Sequence, residues 1–273
     1  MKKNLFRRII AKSHLRKLLM IMSGNEVLLE RQSMLMDVYI PASVMHSRVF
    51  AKYRNINSGK DVVIVAGGPS MEKYVPIENA IHIAVNLAVN RKDIAYDYFF
   101  ANDYSTCNEG ELYDKNRNIK SMISFFGIGP YENIGSAYSQ LRDENNIEFY
   151  FFDDCLRYSM SWVHDLDVGK YTFPINLEVS PLKVYGTTMH AALQFALWTN
   201  PKRIYLVGAD CTSNGHAEGL GYHKLKGSAQ DDFSRLLLGW KKIADYIKNY
   251  YPQIEIVSVN PVGLKGLFKD IYT

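Results

Sequence analysis

The sequence predicts an α/β protein: a single, mostly parallel, Rossmann-like sheet flanked by helices, with a lid loop and an N-terminal helical extension. Two observations lead there. Short apolar runs recur from residue 61 onward with helical or loop stretches between them, as parallel strands with crossover connections require. Those runs also end, one after another, on Gly, Asn or Asp.

Residues 1–60 read as a basic helical extension, and residues 61–273 as one Rossmann-like nucleotide-sugar-binding catalytic domain. Lys2, Lys3, Arg7, Arg8, Lys12, Arg16 and Lys17 all precede the first acid, Glu26, and account for the net charge of +4; the remainder is slightly acidic. Leu18–Met22 is far too short an apolar run to span a bilayer. A basic, apolar-studded segment of this kind can rest on an anionic membrane, each cation contributing about 1 kcal/mol near the headgroups. The alternative is a helix packed on the domain with its charges solvated. The expected location is cytoplasmic, with residues 1–22 able to touch the inner face of the cell membrane. A second helix is expected around Glu26–Val38, then a polar link, Asn55–Lys60. No aromatic-and-basic interleaving recurs downstream, so nucleic acid is not an expected partner. Three cysteines, Cys107, Cys155 and Cys211, form neither an even disulfide set nor a C-x-x-C pair, and no metal site is expected from them.

The first strand, Val62–Val65, delivers AGGPS, where Gly67 and Gly68 let a backbone come close to a ligand. Pro69 and Ser70 suit the first positions of a helix, whose N–H groups attract phosphate. This is neither G-x-x-x-x-G-K-[ST] nor G-x-G-x-x-G, which argues against a P-loop kinase and an ordinary dinucleotide dehydrogenase. Further strands are expected at Ile81–Val85, Tyr98–Ala101, Ser121–Phe125, Glu148–Phe152, Arg203–Val207 and Glu255–Val259. Their ends carry Asn86, Asn102-Asp103, Asp153-Asp154, Gly208 with Asp210, and Asn260. In open α/β sheets ligands sit outside the carboxyl ends of the strands, so these groups would rim a crevice. Thr187 and Thr188 offer caps to a helix running to Trp198, which Asn200-Pro201 stops. Residues 211–232, rich in Gly, Ser and His, are long for an idle loop and form the candidate lid.

The series AGGPS, VN, FFAND, RIYLVGAD, NGHA and VNP, in that order over roughly residues 61–265, resembles the bacterial CMP-sialic-acid-dependent sialyltransferases. It equally resembles a related family that includes the archaeal 6-hydroxymethyl-pterin diphosphokinases. The first resemblance implies a glycosyltransferase of surface-polysaccharide or lipopolysaccharide synthesis. It would move a sugar from a nucleotide donor, CMP-linked in that family, to a saccharide or lipid-linked saccharide acceptor with inversion and without a cofactor. Gly67, Gly68 and Ser70 would lie beside the phosphate, with Asn86 and Asn102 holding ribose and phosphate. Asp103, Thr187, Asp210 and Thr212 complete the nucleotide-binding candidates. The base would be a loop histidine, His223 or its competitor His216, since an imidazole titrates near working pH. The helix after Pro69 and a hydroxyl from Ser70, Thr212 or Tyr222 would steady the leaving phosphate. His14, His46, His82, His164 and His190 are expected to be structural or solvated.

The chain departs from the sialyltransferase pattern in three places. Thr212 and Ser213 stand where that family has tyrosines, Lys183 where it has an arginine, and Gly67 where it has an amide. The second resemblance implies Mg²⁺-dependent diphosphate transfer from ATP to a small hydroxymethyl acceptor, with Asp103, Asp210 and Asp153 or Asp154 as oxygen ligands. A third reading is a non-catalytic nucleotide-binding scaffold.

Overall fold

The computed structural model describes residues 35–102, 122–129, 146–154, 173–212, 215–220 and 233–273. Nine parallel strands form one sheet: β1 (Asp61–Val65), β2 (Ile81–Val85), β3 (Tyr98–Ala101), β4 (Ile123–Ile128), β5 (Ile147–Asp154), β6 (Leu182–Val184), β7 (Arg203–Val207), β8 (Glu255–Val259) and β9 (Lys269–Ile271). Their order is β6-β5-β4-β3-β2-β1-β7-β8-β9. The chain steps outward from β1 to β6, crosses back to place β7 beside β1, and steps outward again to β9. Val65 pairs with Val207 at the carboxyl end of the β1–β7 ladder. The order reverses there, which makes β1 and β7 the switch point of the fold.

Burial explains the strand composition. Four consecutive residues are buried in each of β1, β2, β7 and β8, so both faces are covered and aliphatic runs replace alternation. One face carries Val62, Ile64, Ile83, Val85, Phe100, Phe125, Ile204 and Leu206. Against it lies α2 (Met189–Trp198), all ten of whose residues are buried. Its Phe195 ring meets Phe125 at 4.8 Å and Tyr98 at 5.1 Å. The amphipathic α3 (Phe233–Tyr250) adds Trp240, Ile243, Tyr246 and Ile247 to the same core. The other face, with Val63, Val65, Val207 and Val259, is covered by Met71, Tyr74, Ala88, Ala217 and Leu220 from short 3-10 turns and loops.

Helix α1 (Ile40–Phe50) follows a single π-type turn, Leu35–Tyr39. It buries Ala42, His46, Val49 and Phe50, an i, i+4, i+7, i+8 stripe, against the outer side of β5. Pro41 sits in the first turn of α1, where its missing N–H costs nothing. The sequence reading ends a helix at Val38; residues 26–34 of it lie outside the described residues, and the helical backbone of Leu35–Tyr39 continues past Val38 into α1. Strands β6 and β9 were also absent from that reading. Each has three residues and a charged middle or edge, LKV and KDI, too short to show a period. Two side chains close the edge that β6 leaves open. Gln194 accepts the Lys183 N–H at 3.0 Å and donates to the Lys183 carbonyl at 2.6 Å, standing in for a tenth strand. His46 Nε2 accepts the Phe151 N–H at 2.8 Å, while its Nδ1 lies 2.9 Å from the Ser180 carbonyl. Nδ1 therefore carries the proton and the ring is neutral; burial lowers its pKa to about 4.

Candidate functional site

The glycine turn after β1 and the Gly208–Asp210 turn after β7 are built against each other. The Ala66 N–H donates to Val207 O at 2.8 Å and the Gly68 N–H to Gly208 O at 2.9 Å. A Cβ on Gly68 would stand 2.5 Å from the Gly208 carbonyl oxygen and 2.8 Å from Asp210 Cγ. Gly68 is thus required by the neighbouring loop, a packing reason that the bare sequence does not separate from close approach to a ligand.

Asp210, 6% exposed, accepts the Ser70 N–H at 2.8 Å through Oδ2 and the Ser70 hydroxyl through Oδ1. The helix expected after Pro69 is a single 3-10 turn, Pro69–Lys73, because its carboxyl end meets an extended Tyr74. Its leading donors face Asp210, a carboxylate already in the position where a phosphate was expected. Ser70 is consequently a rim group whose polarity is shared with Asp210 rather than an open anion cradle. The carboxyl-terminal tail braces the same point: the Gly263 N–H donates to Asp210 O at 2.7 Å.

Next to β1, the chain leaves β2 through Asn86, whose φ of 50° places it in the left-handed region that Asn tolerates better than most residues. Asn86 Nδ2 lies 3.4 Å from Thr188 Oγ1, linking the end of β2 to the start of α2. Thr187 Oγ1 accepts the Met189 N–H at 3.3 Å just before α2, whose N-cap Thr188 makes no side-chain cap hydrogen bond; Thr187 is half-buried. One strand further out, Asn102 is 8% exposed and accepts the Tyr150 hydroxyl proton through Oδ1.

Segment 215–220 lies across the switch point and is tied down at three places. The Ala217 N–H donates to Gly67 O at 2.8 Å, the Glu218 N–H to Glu72 Oε1 at 3.0 Å, and Asn90 Nδ2 to Leu220 O at 2.9 Å. Ala217 and Leu220 are buried under it, whereas His216 sits exposed at the rim with its imidazole hydrogen-bonded to the Gly67 backbone. Desolvation of the ring lowers its pKa below the usual histidine range, and the Gly67 hydrogen bond opposes that shift. Thr212 is half-buried two residues beyond Asp210. Cys211, between them, has a φ of 49° and a thiol pushed up to about 11 by burial, which leaves it a poor nucleophile at neutral pH.

Gly67, Gly68, Ser70, Asp210 and His216 therefore meet at the switch point, with Asn86 and Thr187 joined through Thr188 beside them. His223, Tyr222, Asp103 and Ser213 lie outside the described residues. Arg91 and Asn90 carry no sequence signal as site residues, yet they shape this rim. The Arg91 guanidinium donates to the Met71 and Tyr74 carbonyls and to Asp93, holding the 3-10 turn in place.

A second polar group lies at the β5–β6 corner. The Lys183 ammonium donates to Asp153 and to the Tyr39 hydroxyl, and the Tyr39 hydroxyl donates to Asp153 Oδ2 at 2.9 Å. Lys183 and Asp153 are 7% and 6% exposed. Burial and the Asp153 charge raise the Tyr39 pKa, which keeps that hydroxyl protonated. Asp154 Oδ1 accepts the Gly186 N–H at 3.2 Å. Of the oxygen ligands expected for magnesium, Asp153 and Asp210 are thus engaged within the protein. Among the described residues no group of three or more His, Cys, Asp or Glu side chains could hold a metal ion.

No protein-family model matches the chain, and no curated protein sequence matches it. Among solved structures it is similar to the sialyltransferase CstII from Campylobacter jejuni in complex with a substrate analogue, CMP-3FNeuAc. That similarity has 12% identity and a TM-score of 0.38, and covers 78% of this chain and 85% of that one. A likeness at this level carries no functional weight. The described residues form an open, all-parallel Rossmann-like α/β fold with a polar rim at its switch point. No described helix is long and apolar enough to cross a membrane.

Proposed function

We propose that the protein is a glycosyltransferase that binds a nucleotide sugar, CMP-linked in the reading preferred here, across the carboxyl ends of β1, β2 and β7. The observation that supports this most is the meeting of Gly67, Gly68, Ser70, Asp210, Asn86, Thr187 and His216 at the topological switch point, where open α/β sheets hold their ligands. Asn86 and Asn102 offer amide donors and acceptors suited to ribose and base. Thr187 and Thr212 supply hydroxyls beside the phosphate, and Asp210 positions Ser70 and the glycine turn.

In the reaction, the acceptor hydroxyl attacks the anomeric carbon and its oxygen forms the new glycosidic bond. The bond from that carbon to the phosphate oxygen breaks with inversion, and the nucleotide leaves with the electron pair. A histidine takes the acceptor proton; His216, largely neutral at pH 7 because its pKa is lowered, suits that role, and His223 is its competitor. Tyr222 would steady the leaving phosphate.

The acceptor is a saccharide or lipid-linked saccharide, and residues 1–22 rest on anionic membrane. Deleting residues 1–22 should weaken binding to anionic vesicles; unchanged binding removes the membrane part of the proposal. For the chemistry, His216→Ala and His223→Ala are compared in a transfer assay with donor binding followed separately. One variant should lose turnover yet keep donor binding. Undiminished turnover in both would end the proposed mechanism.

A further inference from the structure

The residues on either side of His216 do little to place it. Gly215 before it and Gly219 after it have φ of 79° and 75°, and a Cβ on either would meet nothing within 4 Å. Neither position supplies side-chain packing, and glycine takes up the left-handed region without strain. The backbone of 215–220 is therefore placed by whatever holds Ala217, Glu218 and Leu220.

Those holding groups come from two turns. In the Pro69–Lys73 turn after β1, Glu72 Oε1 accepts the Glu218 N–H at 3.0 Å; just before it, Gly67 O accepts the Ala217 N–H at 2.8 Å. In the Asn86–Asn90 turn after β2, Asn90 Nδ2 donates to Leu220 O at 2.9 Å. Ala217 and Leu220 are 7% and 5% exposed, in one apolar cluster with Met71, Tyr74 and Ala88. Asn90 is half-buried and satisfies a carbonyl without bringing charge. Glu72 is exposed, and a carboxylate binds a backbone N–H more strongly than a neutral oxygen does. The same two turns carry Ser70 and Asn86 of the proposed donor site. A histidine held by them is held relative to the donor, and proton removal depends on the base lying within hydrogen-bond reach of the attacking hydroxyl.

We infer that Glu72 and Asn90 are positioning residues for His216: through the backbone of Glu218 and Leu220 they hold the imidazole against the glycine turn at Gly67. This inference rests on the reading of His216 as the base given above.

Nuclear magnetic resonance of the full chain, labelled in its histidine rings, tests it without an acceptor, with His216→Ala identifying the signal. In the wild type the His216 ring should titrate below the ordinary value of about 6.5, because it is partly desolvated. Asn90→Ala changes no charge; it should free the segment and return the ring toward that value. Glu72→Ala should do the same, whereas Glu72→Gln keeps an oxygen for the Glu218 N–H and should stay near the wild type. The buried His46 and His190 signals in the same spectra report whether each variant is folded. A His216 titration unchanged in both alanine variants overturns the inference. Equal shifts in Glu72→Gln and Glu72→Ala would make Glu72 act as a charge and remove its positioning role. CMP titrated into the wild type keeps the two readings apart: absence of binding ends the donor reading, whereas the ring titration alone decides what places His216.

Discussion

The carboxyl edge of the sheet carries two polar clusters that differ in what surrounds them. At the β1–β7 switch point, Ser70, Asn86, Thr187 and His216 sit half-buried or exposed along an open rim. At the β5–β6 corner, Asp153 and Lys183 are nearly sealed, with Tyr39 closing the cluster. The two begin alike, as polar residues following an apolar strand. The corner spends its polarity on holding α1 and β6 in register, whereas the rim keeps part of its polarity at the surface where a ligand can reach it.

The largest effect is expected at the corner. Asp153→Ala leaves a buried lysine without its carboxylate and should cost about 3–5 kcal/mol of unfolding free energy in urea. The double variant Asp153→Leu/Lys183→Met should recover most of that loss. A loss in the single variant no larger than that of an exposed substitution would mean the corner is open to solvent.

Protonation separates the regions next. His46 and His190 are buried, with pKa values lowered to about 4 and about 3. His190 Nδ1 accepts the Tyr185 N–H at 3.2 Å, and its ring meets Trp240 edge-on at 4.7 Å. Both folded values lie below the unfolded value near 6.5, so protonation favours the unfolded chain. Stability is full above pH 6.5 and falls as the pH drops toward 4. His46 alone should lose about 2 kcal/mol between pH 7 and pH 5, with His190 adding a comparable amount. Denaturation followed at both pH values checks this. A flat profile would contradict the buried, neutral assignment.

Smaller effects sharpen the rim. Gly68→Ala forces a Cβ into the Gly208 carbonyl and Asp210, and should cost about 1–3 kcal/mol in thermal or urea unfolding. Asn86 is the more informative position because its backbone and amide roles come apart. Asn86→Gly satisfies the positive φ and should hold stability to within about 0.5 kcal/mol, while Asn86→Ala should cost about 1 kcal/mol. If Asn86→Gly folds normally yet binds nucleotide more weakly, the amide has a ligand role; equal binding would reduce Asn86 to a turn residue.

Much of the sheet was legible because both faces are covered. DVVIV, IHIAV, RIYLV and EIVSV are aliphatic runs of strand length, and the observed β1, β2, β7 and β8 follow them closely. Strand β4 begins two residues later than expected and runs to Ile128, because its partner Tyr98 pairs with Ile123. Helix α2 was legible from its apolar run after Thr187-Thr188 and from the Asn200-Pro201 stop. The rim residues could be named from their strand ends, but their partners could not. Nothing in the sequence says that Asp210 turns back onto Ser70 across 140 residues, or that Arg91 holds two carbonyls of the Pro69–Tyr74 segment. The Asp153–Lys183 pair was equally hidden. Asp153 reads as a strand-end carboxylate like any other until β6, too short for any pattern, puts a lysine beside it.

The proposed function requires the switch-point rim to hold the nucleotide of a nucleotide sugar without help from a metal. Calorimetric titration of the full chain with CMP in the presence of a chelator, set against ATP with Mg²⁺, addresses it most directly. The account predicts saturable one-site binding of CMP in chelator that weakens in Asn86→Gly. Binding of ATP only with Mg²⁺, and none of CMP, would contradict it.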